Sequence, residues 1–129
     1  MVVAGCALHS ADKAEEISVL FYNVQNLFDA AVAGDEYPEF RDPGTWTTGV
    51  AADKARAVAD AIQSVRPRPG IVVLAEVESV AVAEQLFRRH LPDLRLQYVA
   101  GTNWTDGCID VVVGSRLPIE RVTSHRAQI

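Results

Sequence analysis

The chain has 129 residues, the size of one ordinary domain with its own core and too short for two. Its composition, 49% hydrophobic and 22% charged with 8 glycines and 6 prolines, excludes a disordered, collagen-like or low-complexity protein. The net charge of −5 disfavours a protein that coats nucleic acid, but it does not exclude a nuclease, because a bound metal ion supplies local positive charge. No stretch approaches the roughly 20 apolar residues that span a bilayer.

The first residues resemble a bacterial lipoprotein signal. Residues 3–6, Val-Ala-Gly-Cys, are similar to a lipobox, in which Cys6 would carry a lipid anchor, and residues 1–15 are interpreted as an N-terminal tether. A working signal needs a basic region and about 7–15 apolar residues before the cleavage site, and only two residues precede this one. Either the match is chance and a cytoplasmic location is expected, or the protein begins upstream and is an exported or membrane-anchored lipoprotein.

In chain order, the apolar run 17–22 predicts a strand buried on both faces, which Asn23 ends. Residues 29–49 hold scattered glycines, prolines and acids and predict a long loop. A helix-spaced apolar stripe from Val50 predicts an amphipathic helix that two prolines stop. The apolar run 71–75 predicts a second buried strand, followed at once by Glu76.

The remaining elements complete a layered domain. Residues 79–90 predict a second helix with cations in its last turn, where the helix dipole favours them. Residues 94–100 and 109–113 predict two more strands, the second preceded by Cys108, and residues 117–122 predict the start of another. The order β-α-β-α-β-β is typical of an α/β domain.

Asn23 and Glu76 each follow a buried strand, and one helix separates the two strands. If the strands lie parallel in one sheet, both residues reach the same sheet edge, where α/β sheets bind ligands. Carboxylate and amide oxygens suit Mg²⁺, which in turn polarises phosphoryl oxygens. Position alone also allows Asn23 to be a turn residue and Glu76 a solvated loop residue.

Two sequence blocks resemble a known family. Residues 22–29, Tyr-Asn-Val-Gln-Asn-Leu-Phe-Asp, are similar to the Tyr-Asn-Val-Glu-Asn-Leu-Phe-Asp opening of bacterial members of the endonuclease/exonuclease/phosphatase superfamily. Residues 74–79, Leu-Ala-Glu-Val-Glu-Ser, resemble that superfamily's Leu-Gln-Glu-Val-Glu-Asn segment at a matching spacing. A weaker similarity covers residues 106–119.

The resemblance implies a metal-dependent phosphoester hydrolase, a nuclease or a phosphatase, whose Mg²⁺ or Mn²⁺ site includes Asn23 and Glu76. Its substrate would be a phosphoester, with nucleic acid among the candidates. Glu78 is not carried over, Asp110 either faces the site or has a structural role, and His125 does not match the family's catalytic histidine. No residue is assigned to an organic cofactor.

The fold that the resemblance implies is α/β (α+β), as half of a four-layer αββα sandwich with mixed β-sheets. Residues 16–129 would supply the N-terminal half of the domain and end before the family's later Asp-x-Asn and Asp-His elements. We therefore expect an exposed apolar sheet face and an inactive fragment, with the activity in a longer parent protein. The alternative is a non-catalytic binding or scaffold module with the same fold.

Overall fold

The computed structural model describes residues 2–8, 15–102 and 107–125 of the chain. In this part the protein forms a five-stranded mixed sheet in the order β1-β2-β3-β5-β4. Strands β2 and β3 are parallel, and the pairs β1–β2, β3–β5 and β4–β5 are antiparallel. The elements are β1 (Val2–Leu8), β2 (Glu15–Leu27), α1 (Pro38–Arg41), α2 (Thr48–Gln63), β3 (Ile71–Val77), α3 (Val80–His90), a 3₁₀ turn (Pro92–Leu94), β4 (Tyr98–Gly101) and β5 (Asp110–Ser115). The α/β class with a mixed sheet is confirmed.

Helices α2 and α3 begin at side-chain caps. The side chain of Thr47 accepts a hydrogen bond from the backbone N–H of Val50, and that of Ser79 accepts one from Val82. Each helix buries one stripe against the sheet: Ala51, Val58, Ala59 and Ile62 on α2, and Val82, Ala83, Leu86 and Phe87 on α3. The two predicted helices are therefore confirmed.

The core lies between these helices and one face of the sheet. Its strand residues alternate along the chain, as one-sided packing requires, and are fully or almost fully buried: Leu20, Val24, Val72, Leu74 and Val112. Gly114 belongs to the same face, where the Phe87 ring covers the strand so closely that an added Cβ would lie 2.4 Å from it. The absence of a side chain at Gly114 thus lets α3 pack on β5.

No described helix covers the opposite face, which we call the open sheet face. It exposes Phe21 by 43%, Val111 by 40% and Tyr98 by 38%, and Val73 and Ala75 lie half-buried between them. Residues 119–125 run over one part of it, where they line a groove with Ala100, Val111 and Val113. The predicted apolar surface is therefore present on the described chain.

Several boundaries differ from the predictions. Residues 2–8 pair with β2 as strand β1, with Cys6 opposite Ile17, although we expected a tether over residues 1–15; the segment 9–14 lies outside the described residues. The strand expected over 94–100 begins only at Tyr98, because the 3₁₀ turn and a left-handed Arg95 (φ 56°) precede it. Residues 117–122 form no strand and include Pro118, which lacks an N–H donor. Among the described helices, none is both long and apolar enough to cross a membrane.

Candidate metal site

The structure brings Asn23 and Glu76 into contact. Because β2 and β3 are parallel and Asn23 pairs with Ala75, the two strands end side by side, with Glu76 one residue beyond the pair. The side-chain Nδ2 of Asn23 donates a hydrogen bond of 2.8 Å to Oε1 of Glu76. The convergence expected from a parallel strand-helix-strand unit is therefore observed, although 53 residues separate the two along the chain.

Both strands are irregular at this point. The pairing register moves from Asn23 opposite Ala75 to Leu27 opposite Val77, so that β2 advances four residues while β3 advances two. Three non-glycine residues in this short region have left-handed backbones: Gln25 (φ 53°), Asn26 (φ 64°) and Glu76 (φ 63°). Such a conformation costs roughly 1–2 kcal/mol for most L-residues, and less for glycine and asparagine, so the cost falls mainly on Gln25 and Glu76. The strand ends therefore hold a locally strained backbone.

The bulge in β3 decides where Glu76 points. Val72 and Leu74 are buried against the helices, and strict alternation would turn Glu76, two residues later, into the same core. The bulge breaks the alternation, so that Val77 takes the buried position instead and Glu76 is only half-buried. The carboxylate is thereby aimed at Asn23, which follows Phe21 on the open sheet face.

The hydrogen bonds around the pair leave acceptor capacity for a cation. Oδ1 of Asn23 accepts the backbone N–H of Gln25 at 2.9 Å, which uses one of its two lone pairs. Among the described residues, the second carboxylate oxygen of Glu76 accepts no hydrogen bond. The ammonium of Lys54 donates to the carbonyl of Gln25 at 3.1 Å and fixes the bulge of β2 from the side of α2. The arrangement offers one carboxylate and one amide oxygen, both hard ligands.

Glu78, two residues further on, has a different role. Its Oε2 accepts the backbone N–H of Asp29 at 2.8 Å, which ties the start of the loop after β2 to the end of β3. Burial raises the pKa of Glu78 to about 7; the Asp29 N–H lowers it, and the neighbouring carboxylates, led by that of Asp29, raise it further. The resemblance did not assign Glu78 to the metal site, and the structure shows it holding this loop.

The loop over 29–47 is built around an aromatic cluster. The ring of Phe40 stacks on Phe28 with centroids 4.3 Å apart and meets the edge of Trp46 at 4.6 Å. The indole Nε1 of Trp46 donates to the carbonyl of Asp29 at 2.7 Å. The sequence predicted a long loop over residues 29–49, and neither the aromatic cluster nor the short helix α1 inside it was predicted. The aromatic residues of a loop do not recur at a regular spacing, so the sequence does not indicate which of them pack together.

Tyr37 brings this loop to the rim of the site. The pKa of its phenol is raised, first by the hydrogen-bond and electrostatic interaction with the Cys108 side chain, then by burial and by the charge of Glu76. Cys108 is a free, half-buried cysteine just before β5. Tyr37 therefore lies close enough to Cys108 and Glu76 to interact with both, a proximity that the sequence did not indicate.

The other residues considered from the sequence lie elsewhere or act structurally. Asp110 faces Val77 across the sheet, and its Oδ1 accepts a hydrogen bond of 2.6 Å from Thr102 Oγ1, so it links the ends of β4 and β5. His125 lines the groove beside residues 119–124. Within the described part of the chain, no group of three or more His, Cys, Asp or Glu side chains is suited to a metal ion.

The chain matches no protein-family model, and neither the curated proteins nor the solved structures include a detectable relative.

Proposed function

We propose that this chain contributes part of the divalent-metal site of a phosphoester hydrolase of the endonuclease/exonuclease/phosphatase type. The observation that carries the proposal is the contact between Asn23 and Glu76, which depends on strand irregularities and left-handed residues at both strand ends. Strained residues persist only where surrounding structure enforces them, and they concentrate at functional sites. A simple turn or a solvated loop start would not require this conformation at Glu76.

In this proposal Glu76 is the carboxylate ligand of Mg²⁺ or Mn²⁺, and Asn23 positions that carboxylate and offers its amide oxygen to the ion or to a water bound to it. Magnesium is commonly held by one or two protein carboxylates together with waters and a substrate phosphate, so one carboxylate fits such a site. The ion, when bound, stabilises negative charge on the phosphoryl group under attack. Lys54 and Glu78 keep the two strand ends and the loop in place.

We further propose that the open sheet face packs against a second β-sheet, which would complete a four-layer αββα sandwich. Exposed aromatic and β-branched side chains on a sheet face are apolar surface that a stable domain normally buries. One carboxylate and one amide do not supply a group that activates water or protonates a leaving group. The 129-residue chain alone is therefore expected to hydrolyse no phosphoester.

Manganese binding to the chain tests the site without requiring activity. Mn²⁺ titrated into ¹⁵N-labelled protein should broaden the amide signals around Asn23 and Glu76 first, because paramagnetic broadening falls steeply with distance. Glu76→Gln keeps the shape of the side chain but removes its charge and should abolish this broadening. Glu84→Gln, an exposed position on α3, makes the same change of charge and should not affect it.

Two results would count against the proposal. Broadening that is centred on other acidic residues, or that is the same in Glu76→Gln as in the parent chain, removes Glu76 from the metal site. If Mn²⁺ binds as expected but a longer protein that includes this chain hydrolyses no phosphoester, the alternative of a non-catalytic binding module is favoured. In an active longer protein, Glu76→Gln should lower turnover by orders of magnitude without unfolding the domain.

A further inference from the structure

The charges of this domain are separated between its two ends. We call the end where β2 and β3 begin and β5 finishes the basal end, comprising residues 15–17, 64–71, 88–97 and 115–117, and the opposite end, with Asn23 and Glu76, the site end. The basal segments carry three acidic residues and six arginines: Glu15, Glu16, Asp93, Arg66, Arg68, Arg88, Arg89, Arg95 and Arg116. The chain as a whole has a net charge of −5. The charge of the domain is therefore unevenly distributed, because the basal end is net positive while the chain as a whole is net negative.

Contacts between the elements hold these arginine-bearing segments together. The side chain of Gln63 donates to the carbonyl of His90 at 2.9 Å and joins the ends of α2 and α3. The backbone N–H of Arg116 donates to the carbonyl of Gly70 at 3.0 Å, which joins the end of β5 to the start of β3. Arg88 and Arg95 line one groove below α3, together with Glu84. Most of the arginines thus lie at one end of the sheet, whereas Arg89 also lines the groove between α2 and α3 that reaches Asp29 and Thr48.

Four of these six guanidinium groups have no partner among the described residues. All six arginines are exposed, and those of Arg68, Arg88, Arg89 and Arg95 form no hydrogen bond or ion pair with the described residues. Arg66 differs, since it donates to the carbonyls of Gln63 and Val65. A guanidinium group without a partner is weakly hydrated, and its planar set of N–H donors can form paired hydrogen bonds with the oxygens of a phosphate group. The basal end is therefore able to bind a phosphate-bearing surface.

The site end carries the opposite charge. Nine acidic residues lie in the segments 23–42, 47–56, 75–79 and 107–110, against three basic ones: Asp29, Asp35, Glu36, Glu39, Asp42, Asp53, Glu76, Glu78, Asp110, Arg41, Lys54 and Arg56. An anionic surface would attract the basal end and repel the site end. Between Ile17 and Asn23, β2 rises by roughly 20 Å, at about 3.3 Å per residue, which exceeds the Debye length of about 8 Å at physiological salt.

We propose that the basal end docks this domain on the surface of an anionic lipid bilayer, with the site end facing the solvent. Four to eight clustered basic residues are typical of binding to anionic lipid headgroups. A flat surface touches only the end of the domain, whereas a long nucleic acid lying along its side would meet the acidic site end. Tyr98 is the single exposed aromatic residue beside this end in the described chain. Proteins that bind single-stranded nucleic acid stack successive bases on several aromatic side chains, and the described part of the basal end does not offer such a series. The docking does not depend on the metal site.

The orientation has a consequence for the proposed hydrolase. When the basal end is docked, the length of β2 holds the candidate metal site roughly 20 Å above the lipid headgroups, at about 3.3 Å per residue. At that height the site cannot contact the headgroups and receives its substrate from solution. The docked domain would therefore act on a soluble phosphoester and not on the lipids of the surface that holds it.

Vesicle sedimentation with the 129-residue chain tests the docking. The chain should sediment with vesicles of phosphatidylcholine and phosphatidylserine, and not with phosphatidylcholine alone, and added salt should release it. Each arginine near an anionic surface contributes about 1 kcal/mol, a factor of about five in partitioning, so Arg88→Gln/Arg89→Gln should lower the partition coefficient roughly 25-fold. The control Arg41→Gln/Arg56→Gln removes two positive charges from the site end and should not lower it.

Circular dichroism checks that each variant is folded, and Arg68→Gln/Arg95→Gln provides a second basal pair on different segments. Failure to sediment with the anionic vesicles, or an equal loss in the site-end control, overturns the proposal. It is also overturned if the chain ignores vesicles but binds a labelled single-stranded oligonucleotide through the same basal arginines. Because none of these measurements involves Asn23, Glu76 or a metal ion, their failure would leave the proposed hydrolase site untouched.

Discussion

Replacing Glu76 with two small residues measures the strain at the candidate site. Glu76→Ala and Glu76→Gly both remove the carboxylate and its hydrogen bond with Asn23, and they differ in how well each residue adopts a φ of 63°. The left-handed conformation costs alanine about 1–2 kcal/mol and glycine almost nothing. Glycine in a strand otherwise costs about 0.5–1 kcal/mol more than alanine. The glycine variant should therefore be more stable than the alanine variant by roughly 0.75 kcal/mol, within a range of about 0–1.5 kcal/mol.

Urea unfolding followed by circular dichroism gives the free energies that are compared, and thermal unfolding should show a difference of about 2–5 °C. Ala75→Gly is the matched control, because Ala75 is the preceding residue of β3 and has no positive φ. There the substitution should destabilise the fold by about 0.5–1 kcal/mol, the opposite sign. If Glu76→Gly is less stable than Glu76→Ala by as much as Ala75→Gly is less stable than the parent chain, the backbone at Glu76 is not strained, and strain gives no support to a functional role for this residue.

Three further predictions concern packing, charge and the loop. Gly114→Ala should destabilise the fold by about 1–3 kcal/mol, since its Cβ would lie 2.4 Å from the Phe87 ring, whereas Gly107→Ala, with its nearest atom at 3.8 Å, should change stability little in the same denaturation assay. Backbone N–H groups, first that of Ala33, lower the pKa of the Glu36 carboxyl from 4.5. The ionised carboxylate therefore stabilises the fold above pH 4.5, and this stabilisation is lost as the pH falls through the lowered pKa. Glu36→Gln should flatten this part of the curve of stability against pH. Phe40→Ala removes the ring between Phe28 and Trp46 and should speed proteolysis within residues 29–47, while Val32→Ala, at a side chain that is 58% exposed, should not.

Much of the fold follows from patterns of apolar residues. The runs at 17–22 and 71–75 are apolar enough to mark central strands, and the stripes on α2 and α3 have helical spacing. The weaker elements were harder to predict, because their formation depends on partners distant in sequence. Strand β1 exists by pairing with β2, and residues 117–122, despite their apolar character, have no strand partner among the described residues. Such tertiary context overrides local propensity in strands.

The position of the site was predictable, and the way it is built was not. A parallel pair of strands fixes where Asn23 and Glu76 lie, which the chain order alone indicates. Their orientation depends on bulges, and the local sequence offers no glycine at Gln25, Asn26 or Glu76 to mark the left-handed backbone. Tyr37 and Cys108 were missed because they reach the rim through two loops.

The strain itself links the fold to the proposed chemistry. A glutamate at the regular sixth position of β3 would face the same core as Val72 and Leu74, where an unpaired carboxylate would be expelled or would unfold the strand. The bulge turns the carboxylate out of that core and against Asn23, at the cost of a left-handed residue. A leucine at position 76 would satisfy the core without any bulge, so packing alone does not account for the observed backbone. The bulge presents the carboxylate at the ends of β2 and β3, as the proposed role of Glu76 as a metal ligand requires.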